Sequence, residues 1–451
     1  MMYKKLFKIL IFILLINIFI PFKESSAAEK KLLILNDGYK SYGQKINILQ
    51  EIIKTSISMN YEVEATIYEN SNNINFNNYD FIIVLKNDYI DFSNNTMDEI
   101  MKYKDKILLV LNSDEEIVDG IKDDVKEFID LSNLDEDLKL KSIQDFMYNN
   151  LYNTVSKNNK YLILDEMYLI DDLNDAIKKI DYLYNLGIPF IISSMPIFSN
   201  TDIEAVQRYC EVLRYAQSKG GSIILHFPDI NKEDSLNINM DSLINKMKIS
   251  YDSLINYKVY PRAIDIPEEL LYHERINNYL ELTDTLFLDI NTNKINLSKD
   301  NIKLISMNNL IEKIPYDKFD KERSYKSNIG IAITANIEFN TFKDILQLLE
   351  KREVYFNDLS YLDTSFSIGE NQIKSENSNL YLNNKNVTVQ RFISREEFKS
   401  MFSNEENIKE EVSIDLSNFN KVLIVITSVA SLIFIIIAIR SRKIDRDKFF
   451  K

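Results

Sequence analysis

The sequence predicts an α/β protein built around an irregular (β/α) barrel of about seven strands. Two strand-like runs, residues 161–164 and 222–225, end on chemically capable residues, and a third run, residues 188–193, lies between them. Helical patterns separate the three runs, so the strands should be parallel with their carboxyl ends on one face. Such folds keep their functional sites on that face. Because His226 and His273 are the only histidines of the chain, imidazole chemistry has few places to occur.

The two ends of the chain predict a secreted protein anchored in the cell membrane. Residues 1–28 combine early lysines, an apolar run and small residues before Glu29, which is typical of a signal peptide. Residues 422–439 form an uncharged apolar run long enough for a transmembrane helix, and a basic tail, residues 440–451, follows. We expect a single pass, with the globular body extracytoplasmic and the C-terminus cytoplasmic. The alternatives are an uncleaved anchor for the first run and a buried core helix for the second.

The charge of the body argues against polyanionic ligands. Between residues 29 and 420 the chain holds 43 basic and 65 acidic residues, a net charge of −22. Such a surface repels nucleic acid and phosphate-rich polymers. We therefore expect no nucleic-acid partner and favour a neutral or cationic cell-surface polysaccharide. The single cysteine, Cys210, lies on an apolar helical stripe and is expected to be a core residue.

Residues 29–150 predict a small open parallel-sheet α/β domain that precedes the barrel. Short β-branched runs alternate there with helical patterns, in the manner of flavodoxin-like or amidotransferase-like domains. A turn follows the first strand at Asp37, where open sheets can bind ligands. Turn formation alone is the alternative for this residue, and the domain lacks the nucleophilic cysteine of an amidotransferase. Its role stays open.

Residues 158–360 predict the barrel. Besides the three runs above, the strand candidates are residues 258–264, 285–289, 302–305 and 329–333. Residues 361–403 change to polar alternation and predict a β-rich appendage with a turn near Asn383. Residues 404–421 are acidic and predict a linker before the transmembrane helix.

Three segments of the barrel region resemble the polysaccharide deacetylase (NodB-homology) superfamily, in particular an uncharacterised deacetylase-like branch of bacterial surface proteins. The segments are residues 161–166, 185–193 and 220–229. The resemblance implies metal-assisted hydrolysis of an acetyl group on a sugar. It also implies that Asp165 is the catalytic base and that Glu166 and His226 are metal ligands. Arg262 and Asp265 fall where the family has a substrate-binding loop.

The sequence departs from this pattern in two places. Ile230 stands where the second metal histidine would be, and residues 334–336 lack the histidine expected after the last strand. Asp229 could add a weak ligand, but Glu166 and His226 supply two ligands where a hydrolytic metal takes about three. A divalent metal of unknown identity is therefore not expected to bind tightly. His273, in a predicted helix over residues 270–282, is interpreted as a surface or packing residue.

These features favour an extracytoplasmic protein that binds or modifies cell-surface polysaccharide through a barrel with a degenerate metal site. One alternative is a non-catalytic cell-envelope assembly or sensory protein, in which Asp165 and Glu166 merely cap the next helix. Another is an active carbohydrate deacetylase, or a glycoside hydrolase that uses carboxylates at the strand ends. The distances among Asp165, Glu166 and His226 in the folded chain are the first test.

Overall fold

The computed structural model describes residues 30–37, 48–68, 71, 74–87, 98–112, 124–151, 158–228, 239–273, 275–290, 301–319, 325–387 and 389. The predicted signal peptide, linker, transmembrane helix and basic tail lie outside these residues. Among the helices that are described, none is long and apolar enough to cross a membrane.

The first part of the chain forms an open sheet of five parallel strands. The strands are β1 (Lys30–Asn36), β2 (Tyr61–Ile67), β3 (Phe81–Lys86), β4 (Ile107–Leu111) and β5 (Glu127–Asp130). They lie in the order β2-β1-β3-β4-β5, which is the flavodoxin-like order. Two helices accompany the sheet, α1 (Ile48–Ser58) and α2 (Glu136–Leu151). The predicted open parallel sheet is therefore present.

The middle of the chain forms a parallel barrel of seven strands, as predicted, and the barrel is closed rather than irregular and open. Its seven strands are β6 (Lys160–Met167), β7 (Ile191–Ser194), β8 (Ser222–His226), β9 (Pro261–Pro267), β10 (Thr285–Asp289), β12 (Asn309–Pro315) and β13 (Asn328–Thr334). They close in the order β6-β7-β8-β9-β10-β12-β13. The helices of this region are α3 (Leu173–Leu186), α4 (Glu204–Ser218), α5 (Met240–Asn256), α6 (Asn277–Leu280) and α7 (Phe339–Lys351).

One predicted barrel strand belongs to the other sheet. Residues 302–305 were expected in the barrel, but β11 (Asn301–Leu304) pairs antiparallel with β2 and extends the open sheet. The strand missing from the prediction is β12, which lies between β10 and β13. Its two adjacent charged residues, Glu312 and Lys313, made the segment unlike a barrel strand.

The barrel interior is apolar and is closed at the end where the strands begin. Its core comprises Tyr161, Ile163, Ile191, Ile224, Ala263, Phe287, Ile311 and Leu359. Gly330 of β13 faces this core, because a Cβ atom added there would lie 2.4 Å from Ile163 Cδ1. Leu359 follows the barrel in sequence and packs on the core, while Asn357 N donates to Lys160 O at the start of β6. The opposite end, where the strands finish, is thus left for polar groups.

The predicted β-rich appendage is a four-stranded antiparallel sheet. Its strands are β14 (Thr364–Ile368), β15 (Asn371–Glu376), β16 (Asn379–Leu382) and β17 (Lys385–Asn386). The predicted turn joins β16 to β17, where Asn383 and Asn384 have φ angles of 50° and 64°. The sheet packs beside the start of β10, since Asp284 N donates to Ser365 O.

Candidate functional site

A layer of polar side chains lies at the carboxyl ends of the barrel strands. Each member is two residues beyond an inward-facing position of its strand, and alternate residues of a strand point to the same side. The layer comprises Asp165, Ser193, His226, Asp265, Asp289, Lys313 and Thr334. Every strand thus changes from apolar to polar at the same end, which makes this end the mouth of the barrel.

Lys313 is the centre of the polar layer. Its Nζ lies 2.7 Å from Asp265 Oδ2, 3.0 Å from Asp165 Oδ1 and 3.8 Å from Asp289 Oδ2. The Lys313 side chain is 1% exposed. One buried ammonium therefore links carboxylates from three strands, β6, β9 and β10.

Asp265 is the most deeply buried of these carboxylates. It is fully buried, and its Oδ2 accepts a hydrogen bond of 2.9 Å from Ser193 Oγ in addition to the Lys313 contact. Its Oδ1 has no hydrogen-bond partner among the described residues, although the atom is buried. A carboxylate oxygen left in this way is costly unless a further donor or cation reaches it.

His226 presents one ring nitrogen to the layer. Its Nδ1 lies 2.7 Å from Phe227 O, and a carbonyl can only accept, so Nδ1 carries the hydrogen of that bond. In the neutral ring, Nε2 then has a lone pair. Nε2 lies 3.8 Å from Asp265 Oδ2, which is beyond hydrogen-bond distance.

Burial and mutual repulsion raise the pKa values of two carboxyl groups of the mouth, Asp165 and Asp289. Burial raises the pKa of Asp165; Lys313 opposes the shift and Asp265 adds to it. Burial likewise raises the pKa of Asp289 to about 6, against its ordinary value of 3.8. Burial alone would lower the pKa of Lys313, but Asp265, Asp165 and Asp289 together raise it well above its usual range. Lys313 is therefore an ammonium at any physiological pH, whereas Asp289 titrates near pH 6.

The structure brings together three of the residues singled out from the sequence. Asp165, His226 and Asp265 each offer one ligand atom within 4.8 Å of the other two. Glu166 is not part of this cluster; it has a φ of +52° and lies where the β6–β7 register shifts. The helix-cap alternative for Asp165 and Glu166 fails, because Asp172 caps α3. Asp229 lies outside the described residues.

Arg262 lies at the opposite end of β9 from the mouth. Arg262 is the second residue of this strand, and its Nη1 donates to Ser375 Oγ of the appendage at 3.1 Å. It lines a cleft of about 450 Å³ together with Tyr260, Asp358 and Asn379. The sequence placed Arg262 and Asp265 in one cleft, but three residues of strand, about 10 Å, separate their Cα atoms.

His273 lies between two short helices rather than inside one. The predicted helix over residues 270–282 is a 3₁₀ turn, Glu268–Tyr272, followed by α6. His273 Nδ1 accepts a hydrogen bond from Arg275 N at 3.2 Å. This contact is a local one within the loop.

The three clustered residues fit a divalent metal poorly. Their number would suffice for a hydrolytic metal, but Lys313 Nζ already binds both carboxylates. A divalent ion held by the same oxygens would stand roughly 4 Å from that ammonium, and their repulsion would be about 8 kcal/mol at an effective dielectric constant near 20. The acid–base chemistry open to this site is therefore that of its own side chains.

Sequence reasoning missed Lys313 and Ser193. Lys313 was missed because β12 was not predicted as a strand. Ser193 is the last residue of a strand that the sequence predicts, but the sequence does not indicate that its hydroxyl binds Asp265. One signal in the sequence could have found both residues. Each barrel strand has a polar residue at an inward-facing position next to its carboxyl end, where the sites of such barrels lie.

Comparison with known proteins gives few matches. No protein-family model and no curated protein matches the chain. One similar solved structure is a peptidoglycan N-acetylglucosamine deacetylase, with 12% identity, a TM-score of 0.26, and coverage of 45% of this chain and 87% of that chain. Another is a family 4 carbohydrate esterase from Bacillus anthracis, with 12% identity, a TM-score of 0.23, and coverage of 46% and 84%. Similarity this low carries no functional argument, so the site is interpreted from its own geometry.

Proposed function

We propose that this is a membrane-anchored extracytoplasmic protein that binds cell-surface polysaccharide at the barrel mouth and does not depend on a metal. The observation that carries the proposal is the carboxylate cluster around Lys313, because the ammonium holds the carboxylates in fixed positions from which those at the mouth can accept hydrogen bonds from a ligand.

The exposure of the cluster supports a ligand at the mouth. Asp265 and Lys313 are buried, whereas the side chains of Asp165 and Asp289 are 14% and 36% exposed and Thr334 is exposed. Carboxylates accept hydrogen bonds from sugar hydroxyls, and Thr334 can donate or accept. Because Lys313 already holds the carboxylates in place, a bound sugar would need to immobilise little of the protein.

The charge of the body supports the choice of polymer. A net charge of −22 over residues 29–420 disfavours polyanionic glycans and favours neutral or cationic ones. The acidic mouth, with three carboxylates around one ammonium, has the same preference.

A second candidate is glycoside hydrolysis by Asp165 and Asp289. Both lie close to Lys313 Nζ, so the two oxygens that face it are at most about 7 Å apart, an upper limit that admits the separation of about 5–5.5 Å found in retaining glycosidases. The pKa of Asp289 near 6 would keep it partly protonated at mildly acidic pH, as a general acid requires.

The test is a glycan-binding and product assay on the full-length protein. Neutral, cationic, anionic and N-acetylated polymers are compared by affinity electrophoresis, with release of acetate and of reducing ends measured in parallel. We expect binding to neutral or cationic polymers that Asp165→Asn with Asp289→Asn weakens by at least about tenfold, the loss of one or two charged hydrogen bonds.

Asp358→Asn is the matched control, because Asp358 lies in the cleft at the other end of the barrel. It should leave binding unchanged. Release of reducing ends that the mouth variants abolish would establish the second candidate. Zinc-dependent acetate release abolished by Asp165→Asn, or no affinity for any polymer, would contradict the proposal.

A further inference from the structure

The geometry points to Lys313 as the resident cation of a latent metal site formed by Asp165, His226 and Asp265. The Lys313 ammonium takes the place that a divalent metal would otherwise occupy, and removing its charge should convert the mouth into a divalent-metal site. This inference deepens the metal-independent part of the proposed function, but its test needs no glycan.

The first support is the position of the ammonium. Lys313 Nζ makes hydrogen bonds of 3.0 Å to Asp165 and 2.7 Å to Asp265, and these are the two carboxylates of the cluster with metal-ligand spacing. Lys313 reaches them from β12, a different strand from either. No other lysine or arginine is paired with this cluster within the part of the chain that the structure describes.

The second support is a pair of ligand atoms that Lys313 leaves unused. Asp265 Oδ1 is buried and has no hydrogen-bond partner among the described residues. His226 donates through Nδ1 to Phe227 O, so in the neutral ring Nε2 carries the lone pair, at 3.8 Å from Asp265 Oδ2. An oxygen and an imidazole nitrogen of this kind are metal ligands, and Lys313, which donates to Asp165 Oδ1 and Asp265 Oδ2, makes a hydrogen bond to neither of them.

The third support is the balance of charge. Three carboxylates from Asp165, Asp265 and Asp289 lie within 3.8 Å of one ammonium. The cluster is therefore short of positive charge even with Lys313 in place. Without Lys313, a divalent ion would restore neutrality more fully than the ammonium did, because it brings two charges.

The test is metal binding by the full-length protein and by Lys313→Met, which keeps an unbranched side chain, shorter by its terminal atom, and removes the charge. The probes are Co²⁺, whose visible spectrum reports its ligands, and Zn²⁺ in calorimetric titration. Lys313→Met should bind both at least about 1,000-fold more tightly than the natural protein, because the repulsion that it removes corresponds to as much as roughly a million-fold in affinity at an effective dielectric constant near 20.

Lys179→Met is the matched control. Lys179 is also 1% exposed, but its Nζ pairs with Asp175 and donates to Ala335 O. Removing its charge should leave metal affinity unchanged. Adding Asp265→Asn to Lys313→Met should abolish the gain, because it removes a ligand.

Each outcome is decisive. A folded Lys313→Met protein with no gain in affinity would overturn the inference, as would tight Co²⁺ binding by the natural protein with the spectrum of the variant. If Lys313→Met does not fold, the same measurement is made on Lys313→Gln, and both variants are refolded in the presence of Co²⁺. Folding that Co²⁺ restores supports the inference, and failure of both variants to fold with the metal overturns it.

Discussion

Asp265→Asn should destabilise the protein by about 3 kcal/mol. The Asp265 carboxylate and the Lys313 ammonium lie 2.7 Å apart with essentially no exposure, and removing one partner of a buried ion pair costs about 3–5 kcal/mol. The cost should fall at the lower end, because Lys313 keeps Asp165 at 3.0 Å and an asparagine oxygen can still accept from Ser193 Oγ. Lys313→Met should cost more, since it leaves the buried Asp265 carboxylate and the partly buried Asp165 and Asp289 carboxylates without their cation.

A double-mutant cycle measures the interaction itself. The combination of Asp265→Asn with Lys313→Met should be less destabilising than the two single changes added together, by about 2–3 kcal/mol. Urea unfolding of the full-length protein at pH 7 can be followed by tyrosine fluorescence, since the chain has 26 tyrosines and no tryptophan.

The surface pair of Arg275 and Asp241, at 2.9 Å, is the control for this cycle. Its side chains are 47% and 61% exposed, so Asp241→Asn should cost less than about 1 kcal/mol. A cost of Asp265→Asn no greater than that of Asp241→Asn, or additive single changes, would refute the view that Lys313 holds the mouth together.

Three further expectations follow from the mouth and the core, and a fourth from the chain ends. A chelator should not change the melting temperature, because Lys313 rather than a metal binds the carboxylates of the mouth; a large drop would mean a structural metal. The Asp289 pKa near 6 lies above its ordinary 3.8, so between about pH 4 and 6 the folded state binds a proton that the unfolded state has lost, and the free energy of unfolding should fall as pH rises through this range. The melting temperature of Asp289→Asn, measured against pH, should not show this decrease. Burial raises the pKa of the Cys210 thiol to about 12, so a thiol reagent at pH 8 should react only after denaturant is added. Protease added to intact cells should leave a membrane fragment that carries Lys451, detected with a C-terminal tag; digestion of that tag instead would reverse the predicted orientation.

The strand pattern of the barrel could be predicted wherever a strand is covered by apolar neighbours on both sides. The runs that became β6, β7 and β8 are continuous apolar segments bounded by helices, and each was found. Their carboxyl ends gave Asp165 and His226 as candidates. Asp265 was also found, although as a substrate-binding residue rather than as the buried centre of a cluster.

The strand β12 could not be recognised, because a charge interrupts each of its faces. Leu310, Glu312 and Ile314 point to one side, while Ile311 and Lys313 point to the other. A prediction from hydrophobic periodicity assumes that charged side chains face the solvent, but the side chains of Glu312 and Lys313 are both buried. Their partners come from distant parts of the chain, and no local pattern contains that information.

The residue next to Lys313 explains how the open sheet and the barrel are related. Glu312 faces the outside of β12, where Ser327 Oγ donates to its Oε1 at 2.6 Å. Lys54 of α1 lies close enough that Glu51, Glu268 and Glu312 outweigh its burial and raise its pKa. Lys54 also pairs with Glu268, the residue that follows β9, at 3.2 Å.

The open-sheet domain therefore supports the strand that supplies the cation of the mouth. The chain leaves the barrel after β10, adds β11 to the edge of the open sheet beside β2, and returns as β12. Helix α1 of that sheet then lies against the outer face of β12, with Lys54 near Glu312, while Lys313 on the inner face binds Asp165 and Asp265. The two faces of β12 are thus charged and each meets opposite charge, Glu312 beside Lys54 of the open-sheet domain and Lys313 beside the carboxylates of the barrel mouth, so both parts of the protein contact the strand that carries the Lys313 ammonium.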